Sequence, residues 1–223
     1  MNKFNNEQLK YERALEYEIF DKWEYDFAKN KIYNAKCIFD IWWHIWLFSK
    51  WCRNTNSNAE INYFEPIEEF YDRAKNILWN DKNIILNNIW IGSKSGGWII
   101  LLNEEKTMQS SKYSSFLNPN WKEIECKFTT LHDYLLKKHI NKIDVLKMDI
   151  EWMEFEVLSS RWNFEREKID NFIAEIHLLN DKMKSEWIQI FTKIKVIFSN
   201  IEIINSWYRK EIFLIRACKN TWF

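Results

Sequence analysis

Glycine is almost missing from this chain: 3 residues in 223, where average usage would supply about 16. Proline is scarcer still, at 2. A chain so short of both has no Pro/Gly-rich linker, so a single folded unit is expected rather than a string of modules. An excess of either charge is absent too, with 32 basic against 32 acidic residues. That balance gives no basic stripe for a polyanion, and no nucleic-acid partner is expected. The four cysteines (Cys37, Cys52, Cys126 and Cys218) contain no C-x-x-C pair. Their spacing argues against zinc and against a disulfide framework, leaving single buried thiols of a reducing compartment. No apolar run approaches the 18 or so residues of a membrane span. Residues 1–36 are polar and charged, unlike a signal peptide, so a cytoplasmic location is expected.

What is present in excess is tryptophan, 14 residues. Its placement is odd. In Phe39-Asp40-Ile41-Trp42-Trp43-His44-Ile45-Trp46-Leu47-Phe48 an apolar strand ends in Asp, and a turn must then enter a helix. Such turns use glycine, which tolerates positive φ and lets the backbone approach a ligand. A bulky residue at positive φ is an outlier. Read with glycine, the segment becomes Asp-Ile-Gly-Gly-His-Ile-Gly. Some bacterial lineages read the UGA codon as glycine, and translation with another table writes tryptophan there. The Asn, Lys and Ile richness of the chain suits an AT-rich genome, where such reassignment occurs. The plain alternative is a truly Trp-rich or decayed sequence. Trp79, Trp90, Trp98, Trp121 and Trp207 are expected at element ends or turns, as misread glycines would be. Trp51 and Trp187 fall inside helices and suit core positions.

Periodicity orders the rest. Residues 6–29 read as one amphipathic helix, making 1–33 a helical cap on a domain spanning 34–223. Short apolar strands are expected at 36–41, 60–64, 84–89, 98–102, 124–129, 143–150, 171–177, 201–204 and 211–218. Helices are expected from 47, over 67–78, from 129 or 130 past Leu136, from 154, and over 182–198. Residues 103–121 read as a polar loop over a site. Strands alternating with helices argue for an α/β domain with a mostly parallel sheet, and the last two strands for an antiparallel edge.

In such sheets ligands bind beyond the carboxyl ends of the strands, where strand order reverses. Three acids fall at strand ends: Asp40, Glu65 and Asp149. An acid about 20 residues beyond a glycine turn suits a ribose, whose two hydroxyls donate to one carboxylate. The structural alternative for each is a helix cap.

With glycine restored, Asp40 to Trp46 resembles motif I of class I S-adenosylmethionine-dependent methyltransferases. Glu65 resembles their ribose-binding acid. The segments Leu131-His132-Asp133-Tyr134-Leu135 and Ile143-Asp144-Val145-Leu146-Lys147-Met148-Asp149-Ile150-Glu151-Trp152-Met153-Glu154 are more specific. They closely resemble the hallmark of FkbM-type methyltransferases, with Trp152 where that family has glycine. The strand end Glu175-Ile176-His177 also fits. The likeness runs over about residues 34–217. It implies a Rossmann-like fold with helices on both faces, S-adenosyl-L-methionine as cofactor, and O-methylation of a sugar or small-metabolite hydroxyl. The partner is then a small-molecule or glycan acceptor. Asp40, Trp42, Trp43, His44, Trp46, Glu65 and Asp149 would lie at the cofactor, and Asp149, Glu151 and His177 at the reacting groups. His177 is a candidate base, with a hydrogen-bonded structural imidazole as the alternative. His44 suits the donor's carboxylate end, and His132 and His139 are expected to face solvent. No metal is expected, since no local spacing enforces a ligand set. Two rival readings are a non-catalytic Rossmann-fold protein whose cofactor site is blocked by Trp, and a nucleotide-binding oxidoreductase. The second rival lacks its G-x-G start.

Overall fold

The computed structural model of the chain describes residues 6–21, 25–42, 46–103, 121–150, 153–160, 168–178, 180–205 and 211–219. Seven strands make the main sheet: β1 (Cys37–Trp42), β2 (Glu60–Phe64), β3 (Ile84–Asn87), β7 (Ile143–Asp149), β8 (Ile169–His177), β9 (Asn200–Asn205) and β10 (Ile212–Cys218). Their spatial order is β3-β2-β1-β7-β8-β10-β9. The first five run parallel, and β10 lies antiparallel to both β8 and β9. Chain order reverses between β1 and β7, which opens a crevice at their carboxyl ends.

The central strands are apolar because helices cover both faces of the sheet. Ile38, Phe39 and Ile41 of β1 are buried, as are Val145, Leu146 and Met148 of β7. Helices α3 (Leu47–Thr55), α4 (Glu68–Leu78), α5 (Leu131–Lys138), α6 (Glu154–Ser159) and α7 (Asp181–Ile197) supply the cover. In α4, Phe70, Ala74 and Leu78 recur every four residues and are buried, the spacing that puts them on one face. Caps set the ends of α5 and α7. Thr130 accepts from the Asp133 amide at 3.0 Å and Asn180 from the Met183 amide at 2.9 Å. The exposed His139 closes α5 in the left-handed conformation, with φ 55°.

The first segment departs from one continuous helix. It forms α1 (Asn6–Glu16), a π turn over Tyr17–Asp21, a 3-10 turn over Asp26–Ala28 and α2 (Lys29–Asn34). Tertiary packing explains the break. Tyr25 is buried edge-on against Phe48 at 4.9 Å and tilted against Trp51 at 6.1 Å. Leu15 and Ile19 join the same core, and Glu12 pairs with Arg73 of α4.

A second difference is the fate of 90–129. These residues do not extend the parallel sheet. β4 (Trp90–Ile91), β5 (Gly96–Asn103) and β6 (Trp121–Thr129) form their own sheet, ordered β4-β6-β5. β5 and β6 pair antiparallel along their whole length, from Gly96 opposite Phe128 to Asn103 opposite Trp121. Trp98 therefore sits inside a strand, not at its end. The loop expected over 103–121 lies, apart from its two end residues, outside the described residues, as does Trp207.

Candidate active site

Three neighbouring strands carry a polar row through the apolar sheet. Asp40 of β1 is in register with Tyr63 of β2 on one side and Lys147 of β7 on the other. Register partners in a parallel sheet point to the same face. All three side chains are buried, Asp40 and Tyr63 at 0% exposure and Lys147 at 1%. Asp149, two residues beyond Lys147, repeats the same face, and the Lys147 ammonium stands 3.3 Å from its Oδ2. The Phe48 ring lies 5.9 Å from that ammonium.

Asp40 Oδ2 accepts from the Ser49 hydroxyl at 2.6 Å, a group that the first turn of α3 brings over the sheet. Its Oδ1 finds no hydrogen-bond partner among the described residues, and neither does the Tyr63 hydroxyl. Burial pushes the Asp40 carboxyl up to about 6, against the opposing pull of Lys147 and the Ser49 hydrogen bond. Burial also pushes the Tyr63 hydroxyl well up, with the charges of Glu65 and Asp40 adding to it. Both acids therefore act on one point from adjacent strand ends.

Glu65 follows β2 and is fully buried. Its Oε1 accepts from the Ile67 amide at 2.8 Å, an i to i+2 bond just ahead of α4, whose N-cap Ile67 has no side-chain cap. Its backbone is held against β3, donating to Asn87 O at 3.0 Å. A shallow apolar cleft beside it is lined by Ile41, Phe64, Pro66, Ile89, Trp90, Ile91 and Ile150. One wall is Trp90, stacked on Phe128 at 5.3 Å with the planes 3° apart.

On the far side of β7, His177 ends β8 at 3% exposure. Its Nδ1 lies 3.2 Å from Glu154 Oε1 and its Nε2 3.7 Å from Glu175 Oε1. Glu154 also accepts from the Ile150 amide at 3.3 Å, tying the start of α6 to the end of β7. Among the described residues no group of three or more His, Cys, Asp or Glu side chains converges as a metal site.

The expected site residues thus gather at one end of the sheet, with qualifications. Trp43, His44 and Glu151, and the side chain of Trp42, lie outside the described residues. Trp42 is the last residue of β1, and Trp46 is the N-cap of α3 with φ −71°. Among the described residues His139 is the only non-glycine with positive φ. The left-handed strain expected at tryptophan therefore does not occur at positions 42, 46, 79, 90, 98 or 121. Trp46 does take up buried space. Trp46 is 6% exposed, and the Arg73 guanidinium stacks 4.9 Å above its ring. As N-cap it supplies no side-chain acceptor to α3. Trp51 and Trp187 are ordinary core residues, packed on Phe48 and on Phe191 and Phe213.

Lys147, Ser49 and Glu154 received no role from sequence reasoning. A lysine inside an otherwise apolar strand was a readable signal for the first. Ser49 and Glu154 are ordinary helix-start residues until the fold turns them toward Asp40 and His177.

The sequence profile of the Methyltransferase FkbM domain matches residues 46–200. The chain belongs to the FkbM methyltransferase domain family. Solved structures agree on the fold. The FkbM methyltransferase from Methylobacillus flagellatus KT superposes with TM-score 0.56 at 11% identity, covering 82% of this chain and 43% of its own. The present FkbM chain thus spans less than half of that protein. Clostridium thermocellum supplies a structure described as an rRNA methylase, with TM-score 0.54, 9% identity and 90% and 95% of the two chains covered. Streptococcus mutans SMU.1697c, described as a methyltransferase in complex with SAH, gives TM-score 0.53 at 8% identity, covering 86% and 96%. Among curated proteins none matches this FkbM-domain sequence. The strand order and the family together make this a Rossmann-like class I methyltransferase fold.

Proposed function

We propose that this FkbM-family chain binds S-adenosyl-L-methionine at the carboxyl ends of β1, β2 and β7 and methylates a hydroxyl of a sugar or small metabolite. The observation that carries the reading is the buried Asp40 carboxylate, one of whose oxygens has no partner among the described residues at the point where strand order reverses. An unpartnered buried carboxylate oxygen is costly unless a ligand completes it. The residues suit the cofactor. Asp40 would hold its cationic amino group, Glu65 its ribose, and the apolar cleft beside Pro66 its flat base. SMU.1697c, with the same fold, was solved with SAH bound.

The cofactor supplies an already electrophilic methyl group. The chain must align the acceptor, exclude water and take up a proton. As the acceptor oxygen bonds to the methyl carbon, the carbon–sulfur bond breaks and its electron pair stays on sulfur. His177, steadied by Glu154 through Nδ1, would receive the acceptor's proton on Nε2. Asp149 would border both substrates.

We further propose that the organism inserts glycine at 42, 46 and 152. Each indole brings roughly 150–250 Å² of surface, and Trp46 is already packed under Arg73 in the turn. Calorimetry on two proteins tests both parts. The glycine-bearing protein binds the cofactor and the tryptophan-bearing one does not. Equal binding by both refutes the decoding, and so do UGG codons at 42, 43, 46 and 152. Binding by neither refutes the cofactor.

A further inference from the structure

Two buried carboxylates and one buried ammonium make up the polar layer of β1 and β7. Lys147 lies between Asp40, its register partner, and Asp149, 3.3 Å from its ammonium. Ser49 and Cys52 from α3 and Tyr63 from β2 bring no charge to the row, while Glu65 beyond Tyr63 adds a third carboxylate. A lysine at 1% exposure is rare unless it is paired, because the interior disfavours an isolated charge. Here one ammonium bonds Asp149 and acts on Asp40 through its charge, so that carboxylates outnumber ammonium groups among the described residues of the layer. That excess asks for a ligand carrying a positive charge.

We propose that Lys147 is the positioning residue of the cofactor site, holding Asp40 and Asp149 as a carboxylate pair ready for a cationic ligand. The idea rests on the cofactor assignment above and adds to it a residue that need not touch the ligand. Lys147 reaches the ligand only through the two acids. Its ammonium opposes the burial that would otherwise protonate Asp40, and its bond to Oδ2 turns Asp149 back along its own strand. Ser49 fixes one oxygen of Asp40, and the other is buried with no partner among the described residues.

Carboxyl-carbon NMR of the ligand-free protein is the direct test. Asp40 titrates with a midpoint near pH 6 in the wild-type chain. In Lys147→Met the midpoint rises by about one to three pH units, the usual effect of losing an opposite charge at this range. In Lys147→Arg it stays within about half a unit, since the charge is kept. Asp149→Asn gives an independent arm should the Met variant not fold. Asp149 raises the Asp40 midpoint, so its neutralisation lowers it. An unmoved Asp40 midpoint in folded Lys147→Met, or in Asp149→Asn, overturns the proposal. Calorimetry adds the ligand. In the glycine-bearing protein, Lys147→Met loses about two- to ninetyfold in cofactor affinity at pH 7, according to how far the midpoint rises, and comes back to within about twofold by pH 9, whereas a merely structural loss would be the same at both. A loss that is equal at both values overturns the proposal. Absence of binding by the glycine-bearing parent at every pH is a different result: it removes the cofactor assignment, while the carboxyl titration still decides what Lys147 does to Asp40.

Discussion

The two ends of the parallel sheet treat their polar groups in opposite ways. At the amino ends Asn56 and Asp144 use their polar atoms fully. Asn56, at 8% exposure, donates to the carbonyls of Ile32 and Ala35 at 2.8 Å and of Tyr33 at 3.0 Å, and accepts from the amides of Asn58 and Ala59. One side chain thus stitches the exit of α2 to the entry of β2. Asp144 accepts from the amides of Lys36 and Cys37 and pairs with Lys142 at 3.0 Å. At the carboxyl ends Asp40 and Tyr63 each leave a buried oxygen without a partner among the described residues. The first end is built for stability. The second keeps polar capacity in reserve, which costs stability unless a ligand uses it.

Substitutions can separate these roles. The largest effect is expected from Asn56→Ala. It removes five hydrogen bonds, with only the Ile32 carbonyl keeping another donor among the described residues, the Ala35 amide, and should cost about 3–4 kcal/mol of unfolding free energy. Denaturant unfolding measures this, and cofactor affinity per folded molecule should stay unchanged. Asp40→Asn works the other way. It keeps the shape, removes the charge, and should weaken cofactor binding about 100-fold, or roughly 2.7 kcal/mol, with folding stability unchanged or improved.

The third expectation concerns pH. Asp40 titrates near 6 in the folded protein, above the ordinary 3.8. Between those values the native state holds more protons than the unfolded one, so its contribution to stability falls as pH rises from about 4 to 6 and is level beyond. Cofactor binding runs oppositely, since it needs the ionised acid, and its affinity should drop up to tenfold per unit as pH falls below about 6. A cofactor affinity independent of pH between 5 and 7 would break the contrast between the two ends. The smallest effect is expected from Lys142→Ala. Its ammonium is 60% exposed and pairs with Asp144 and Asp170, so thermal unfolding should register at most about 0.5 kcal/mol.

Much of this arrangement was legible in the chain itself. β2, α6 and the antiparallel final strands appear where periodicity places them, because apolar alternation and helical spacing are local signals. Glu65 and Asp149 were readable as strand-end acids, since each follows an apolar run and precedes a helix, whereas Asp40, expected to close its strand, lies within β1, which runs on through Ile41 and Trp42. The broken first helix was not legible, because it depends on where Tyr25 finds Phe48. Nor was the separate sheet of β4, β6 and β5, because strand partners are chosen by long-range pairing and not by the strand's own residues.

The sequence by itself determined the family, the alternation of strands and helices, and the acids Glu65 and Asp149 where β2 and β7 end. These follow from residue order and spacing alone. The tertiary structure decided that Lys147 lies beside Asp40, that Ser49 bonds one carboxylate oxygen while the other is buried without a partner among the described residues, and that Glu154 meets His177. Those relations depend on register between strands distant in sequence, where each side chain's ionisation and hydrogen bonds are set by neighbours that only the closed sheet brings within reach.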